Sequence, residues 1–126
     1  MRRNPICLLS VAATLCACGG SGEPVITPSN APYVATLVSP LGAEGSAIVS
    51  VDATTDSVTL NGGRAFSQSA AGITRIVMIL DQPGEMRFTL HGVRAGSGRI
   101  FQVLQVADTT DRPRASLTDY RVQEAK

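Results

Sequence analysis

The chain has 126 residues, with 11 Lys and Arg against 10 Asp and Glu, for a net charge of +1. That length fits one ordinary domain, and near-neutrality with scattered single charges leaves no basic footprint for nucleic acid. Aromatics make up 4% with no Trp, so base-stacking and carbohydrate platforms have little to be built from. With 44% hydrophobic and 17% charged residues, the composition is that of a folded chain and not of a disordered one.

The N-terminus sets a basic pair, Arg2 and Arg3, before an apolar run from Ile6 to Leu15. A basic start and a short apolar run are the layout of a secretory signal peptide. The run is too short to cross a bilayer, which takes roughly 20 apolar residues. Residues around Arg2 and Arg3 lack the pattern expected for twin-arginine export, so general secretion is expected. Leu15, Cys16, Ala17 and Cys18 follow, and then Gly19, Gly20, Ser21 and Gly22. Read without any family in mind, this is a leader cut near Ala17 that leaves Cys18 a thiol. The stretch also resembles the lipobox of bacterial lipoproteins, with Leu at −3, small residues at −2 and −1, and then the cysteine that is acylated. The resemblance implies a signal peptide over 1–17 and lipidation of Cys18, with diacylglycerol on its sulfur and a further acyl chain, such as palmitate, on its amine.

On that reading Cys7 and Cys16 leave with the leader, and the mature chain has no disulfide, redox pair or thiolate nucleophile. Stability must then come from packing alone. Each buried acyl methylene contributes roughly 0.8 kcal/mol, so three chains hold the protein on a membrane for its lifetime. The family rule for the residue after the cysteine, here Gly19, points to the outer membrane of the bacterial cell envelope.

Residues 18–32 combine the anchor cysteine with a tether rich in Gly, Ser and Pro and without periodicity. Stretched out, residues 19–32 reach about 45–50 Å, enough to hold a domain clear of the headgroups.

From residue 33 to 126 the pattern is strand, turn, strand. Strands are expected at 33–38, at 46–53 with Ala47, Val49 and Val51 on one face, and at 57–60 with Val58 and Leu60 together. Asn61, Gly62 and Gly63 then signal a turn, and 64–68 is a short strand carrying Phe66. Residues 73–80 are apolar on both faces apart from Arg75, as for a strand in the middle of a sandwich. Asp81 to Gly84 read as a Pro-Gly turn. In 85–91, Met86, Phe88 and Leu90 alternate with Arg87, Thr89 and His91. A glycine-rich turn at 92–98, a long strand at 99–108 and a closing strand at 116–123 complete the pattern. The expected fold is all-β, a small antiparallel β-sandwich of about seven or eight strands, with a small β-barrel as the alternative. Its core is expected to draw on Val49, Val51, Val58, Ile76, Met78, Phe88, Leu90, Leu104 and Tyr120.

Candidate chemistry is sparse. His91 is the one histidine and falls on an outward strand face, with no nucleophile elbow to serve. The glycines at 92–98 lack the Lys and the following helix of a phosphate loop. Two acidic turns, at Asp52 and Asp56 and at Asp108 and Asp111, offer two carboxylates each. That is too few for calcium, which takes six to eight oxygens, unless the two turns meet. Paired acids for glycoside hydrolysis need a cleft that the pattern does not announce. Arg75 either reaches solvent or pairs with Asp81 or Glu85.

No catalytic, cofactor-binding or metal residue is therefore assigned, and Cys18 is the one site residue. The strand spacing is loosely similar to that of immunoglobulin-like and cohesin-like modules of exported bacterial proteins, which by itself implies no ligand. The expectation is a non-enzymatic, membrane-anchored envelope lipoprotein that binds or scaffolds an envelope protein or glycan. The alternative is an accessory subunit or inhibitor of a larger envelope complex that acts by β-strand pairing.

Overall fold

The computed structural model describes residues 31–125; the leader, Cys18 and nearly all of the expected tether lie outside them. The described residues form eight strands: β1 Pro32–Val38, β2 Glu44–Val51, β3 Ser57–Leu60, β4 Gly63–Ala70, β5 Ile73–Gly84, β6 Met86–Arg94, β7 Phe101–Ala107 and β8 Arg121–Glu124. They make two antiparallel four-stranded sheets, β3-β6-β1-β8 and β4-β5-β2-β7. The described residues contain no helix. Both sheets keep free edges, so this is a sandwich and not a closed barrel.

The pairing is nested. β4 pairs β5, β3 pairs β6, β2 pairs β7 and β1 pairs β8. The chain is thus one long ribbon doubled back at Ala71–Gly72, with successive pairs placed in alternate sheets. Folding the ribbon adds the β1–β6 and β2–β5 pairings that complete each sheet. Ala71 and Gly72 both take positive φ, 52° and 78°, which is the twist that a two-residue hairpin turn requires. Asn61–Gly62 is a corner between sheets, and a Cβ on Gly63 would collide with the Ile79 carbonyl oxygen.

The core lies between the sheets. Val49, Val51, Val58, Ile76, Met78, Phe88, Leu90 and Tyr120 are all buried there, together with Tyr33, Leu37, Met86 and Val106. Phe101 stacks edge-on to Phe88 at a centroid distance of 6.2 Å. Leu104 is the exception among the expected core residues, being only half buried and outside the cluster. β7 bulges there, with Val49 opposite Val103 but Ile48 opposite Gln105. The extra residue is unpaired, and the inward alternation resumes at Val106.

Four other expectations change. Asp81 to Gly84 do not turn but extend β5, with Gly84 opposite Glu44. Pro83 is tolerated because it falls in the register shift between the Ile79–Ser46 and Gly84–Glu44 pairs, unpaired and exposed. β6 runs on through Gly92, whose φ of 85° absorbs the shift in register against β1. The last strand starts only at Arg121, because the Ser116 hydroxyl accepts the Thr118 amide and Asp119 turns the chain with a φ of 69°. β5 lies inside its sheet, yet only one of its faces is covered.

Candidate functional site

The strand ends gather at two poles. One holds Pro32, the loop after Val51, the Ala71–Gly72 turn and the 95–100 segment, where the Ala95 amide donates to the Ala31 carbonyl at 3.0 Å. The other holds the β1–β2 loop, the Gly84–Glu85 bend and the segment from Asp108 to Tyr120.

At the second pole lies a buried acid that the strand pattern did not single out. Glu44 is 1% exposed. β2 is irregular between Glu44 and Ser46, which turns Glu44 inward alongside Ala47 and Val49. Gly45 is required there, because a Cβ would stand 2.7 Å from the Asp108 carbonyl oxygen. Glu44 Oε1 accepts from the Ser39 hydroxyl at 2.7 Å and the Tyr120 hydroxyl at 2.5 Å, and Oε2 accepts from Arg114 Nε at 3.1 Å. Burial alone pushes this carboxyl up, but the hydrogen bonds from Tyr120, Ser39 and Arg114 more than reverse it and hold it below its ordinary value.

An open cleft of about 340 Å³ adjoins Glu44 and also touches Glu85. Two acids on one cleft invite comparison with a hydrolytic pair. A general acid needs a raised value, however, and Glu44 is held ionised with both oxygens engaged. The arrangement works as a pin that ties the loop after β1, the turn after β7 and the approach to β8 onto β2.

The acidic turns do not meet. The Asp52 carboxylate accepts the Ile100 amide at 2.8 Å, just before β7, whereas Asp108 follows its far end. The length of β7 keeps them roughly 20 Å apart. Asp108 Oδ1 accepts from the Thr110 amide and hydroxyl and from the Arg112 amide, and these bonds hold its carboxyl below the ordinary range. Among the described residues no three His, Cys, Asp or Glu side chains gather in a way that could hold a metal. His91 is half buried on the outer face of the first sheet, with Nε2 3.0 Å from the Thr59 hydroxyl.

The two outer faces differ in chemistry. That of the first sheet presents Thr59, Thr89, Arg87, Thr36 and Gln123 across its rows. On the second sheet one row runs Phe66, Val77, Ile48, Gln105 across all four strands. The next row toward the Glu44 pole runs Arg64, Ile79, Ser46, Ala107, and the next toward the turn runs Gln68, Arg75, Ser50, Gln102. Phe66 is 58%, Ile73 54% and Ile79 47% exposed. Shallow hollows flank Val77 on both sides. These rows contain two arginines and no acid. The one ion pair among the described residues is Arg114–Glu44, so Arg75 pairs with neither Asp81 nor Glu85. A contiguous apolar patch with a polar rim is what an interaction surface looks like on an otherwise ordinary domain.

The sequence carried half of this. The apolar second face of 73–80 was visible, but periodicity cannot say whether such a face is covered by the same chain or left for a partner. No family model, no curated protein and no solved structure matches the chain.

Proposed function

We propose that this is a membrane-anchored envelope lipoprotein, held by acyl chains on Cys18, whose β-sandwich is a non-enzymatic binding module. The observation that carries the binding role is the outer face of the second sheet, where Phe66 and Ile79 stand exposed beside Val77 and Ile48, with exposed Ile73 beyond the Arg75 row. Leaving that much apolar surface in water costs solubility, and covering it on association returns about 25 cal/mol per Å² before the costs of binding are counted. Phe66 is the one aromatic in its rows, so a protein fits this face better than a glycan does.

The anchor is supported by the leader residues Leu15, Cys16, Ala17 and Cys18. Pro32 lies at the pole opposite Glu44, and the binding face runs lengthwise along the strands. That face is therefore clear of the pole where the described residues begin.

The test is a photoreactive residue in place of Ile79 in cells, with one in place of Arg87 on the first sheet as control. An adduct to one envelope protein from the first position and none from the second supports the module. Equal adducts, or none, contradict it.

A further inference from the structure

We propose that the second sheet takes up an extended peptide strand from its partner along β4. The strand it fits carries small polar residues at alternate positions, an apolar residue beside Phe66 and a carboxylate beside Arg64. This deepens the binding-face reading and rests on it.

The phase of the β4 edge follows from one bond. The Asp81 amide donates to the Gly62 carbonyl at 2.9 Å, so the even-numbered residues of β4 bond to β5. In an antiparallel ladder the intervening residues aim their N–H and C=O groups the other way. Ala65, Ser67 and Ser69 therefore point theirs away from the sheet, on the side where β4 has no paired strand among the described residues.

That edge is also undefended. β4 pairs with β5 through eight consecutive positions without a shift, and its sequence has no proline and one charge, Arg64. Exposed edges in native proteins are ordinarily shortened, bulged, charged or covered. The other three edges here follow that rule. β3 and β8 have four residues each. β7 bulges at Leu104, and its free side is taken by 112–114, where the Arg114 amide donates to the Val106 carbonyl at 2.8 Å. Among the described residues β4 alone is a long, regular and open edge.

Its side chains define the occupant. Arg64, Phe66 and Gln68 face outward, and Arg64 and Arg75 make no ion pair among the described residues. An added strand places its own outward residues beside these, where an opposite charge and an apolar neighbour are favourable. On the inward side Ser67 and Ser69 are still exposed, so small polar residues suffice there. A second copy fits less well. Stacking two apolar faces sets Arg64 and Arg75 against their own kind, and pairing two β4 edges brings no carboxylate to Arg64, because β4 carries none.

The probe is the peptide Thr-Ser-Thr-Ser-Ile-Ser-Glu-Thr, which in antiparallel register sets Ile beside Phe66 and Glu beside Arg64. It is added to the full chain in detergent while amide exchange is followed. The expected result is slowed exchange at Ala65, Ser67 and Ser69, with β8 unchanged. A twin peptide with Lys for Glu should bind about fivefold more weakly. Ser67→Pro removes one outward N–H without touching a β5 bond, and should abolish the protection at an unchanged Tm. N-methylation of the peptide serine opposite Ser67 should do the same with the protein unaltered.

Strand addition is overturned by no protection at these amides, or by protection that survives both blocks. Equal binding of the two peptides overturns the charge assignment. A dimer in sedimentation that Ser67→Pro dissolves shows that a second copy fills the edge, and overturns the proposed occupant. The crosslink from position 79 in cells is read separately. If it persists while strand addition fails, only the mode of binding is wrong.

Discussion

The Tyr120 hydroxyl donates to the Glu44 carboxylate at 2.5 Å, joining residues 76 positions apart in the chain. The bond closes the pole farthest from Pro32, because Glu44 opens β2 and Tyr120 immediately precedes β8. Tyr120→Phe keeps the buried ring and removes one donor to a charged acceptor. It should cost about 1.5–3 kcal/mol, read as a lower denaturant midpoint at unchanged slope.

The same pin sets a pH dependence. In the folded chain the Glu44 carboxyl lies below its ordinary value: burial opposes this, and the bonds from Tyr120, Ser39 and Arg114 outweigh it. Its stabilising contribution is therefore complete above the unfolded carboxylate value, about 4.3. It is lost as pH falls through the lower, folded value. Tyr120 is raised, by burial first and by its bond to Glu44 second. Its contribution is complete below about 10 and is lost as pH rises through the folded value. Denaturant midpoints across pH should show an acid limb that Glu44→Gln flattens; an identical limb in that variant would contradict the assignment.

The β6 alternation gives a paired test. Phe88 is fully buried against Phe101, while Thr89 faces outward between Thr59 and Val34. Phe88→Ala should cost about 3–5 kcal/mol, and Thr89→Ala about 0.5 kcal/mol or less. Comparable losses would mean that both faces of β6 are covered.

How far the sequence spoke depended on regularity. Met86, Phe88 and Leu90 announced their face because period-two alternation runs unbroken through them, and the same holds for Val49 and Val51. Leu104 and Glu44 were misplaced or missed because single irregular residues, the bulge in β7 and Gly45 in β2, reverse the alternation locally, and no composition rule locates them. Pro83 reads as a turn because its local chemistry is that of a turn, yet an unpaired position in the register shift between Ile79 and Gly84 lets it stay extended. The nested ribbon depends on pairings between distant segments, which local patterns do not encode. His91 reads as an outward strand residue and the structure places it so, but Gly92, expected in the turn, continues β6, and the turn starts only at Ala95.

Ala71 is a non-glycine residue at positive φ in the β4–β5 turn, where an L side chain with a Cβ is strained by about 1–2 kcal/mol. Asn tolerates this conformation far better. Ala71→Asn should raise stability by about 1 kcal/mol, measured by thermal unfolding; a loss would mean that the turn adopts another conformation.

The anchor has its own test. Cys18→Ser should shift the protein from the detergent phase to the aqueous phase and abolish incorporation of labelled fatty acid. Partitioning that does not change would contradict lipidation at Cys18.

On the proposed function, the apolar face of the second sheet serves a partner and contributes little to the folding core. The most direct measurement is the pair Phe66→Thr and Ile79→Thr in one chain, with unfolding free energy and in-cell crosslinking from position 77 read on the same variant. Threonine preserves strand propensity, so stability should stay within about 1 kcal/mol of the parent while the adduct is lost. A loss of several kcal/mol, or an adduct that survives intact, would contradict the account.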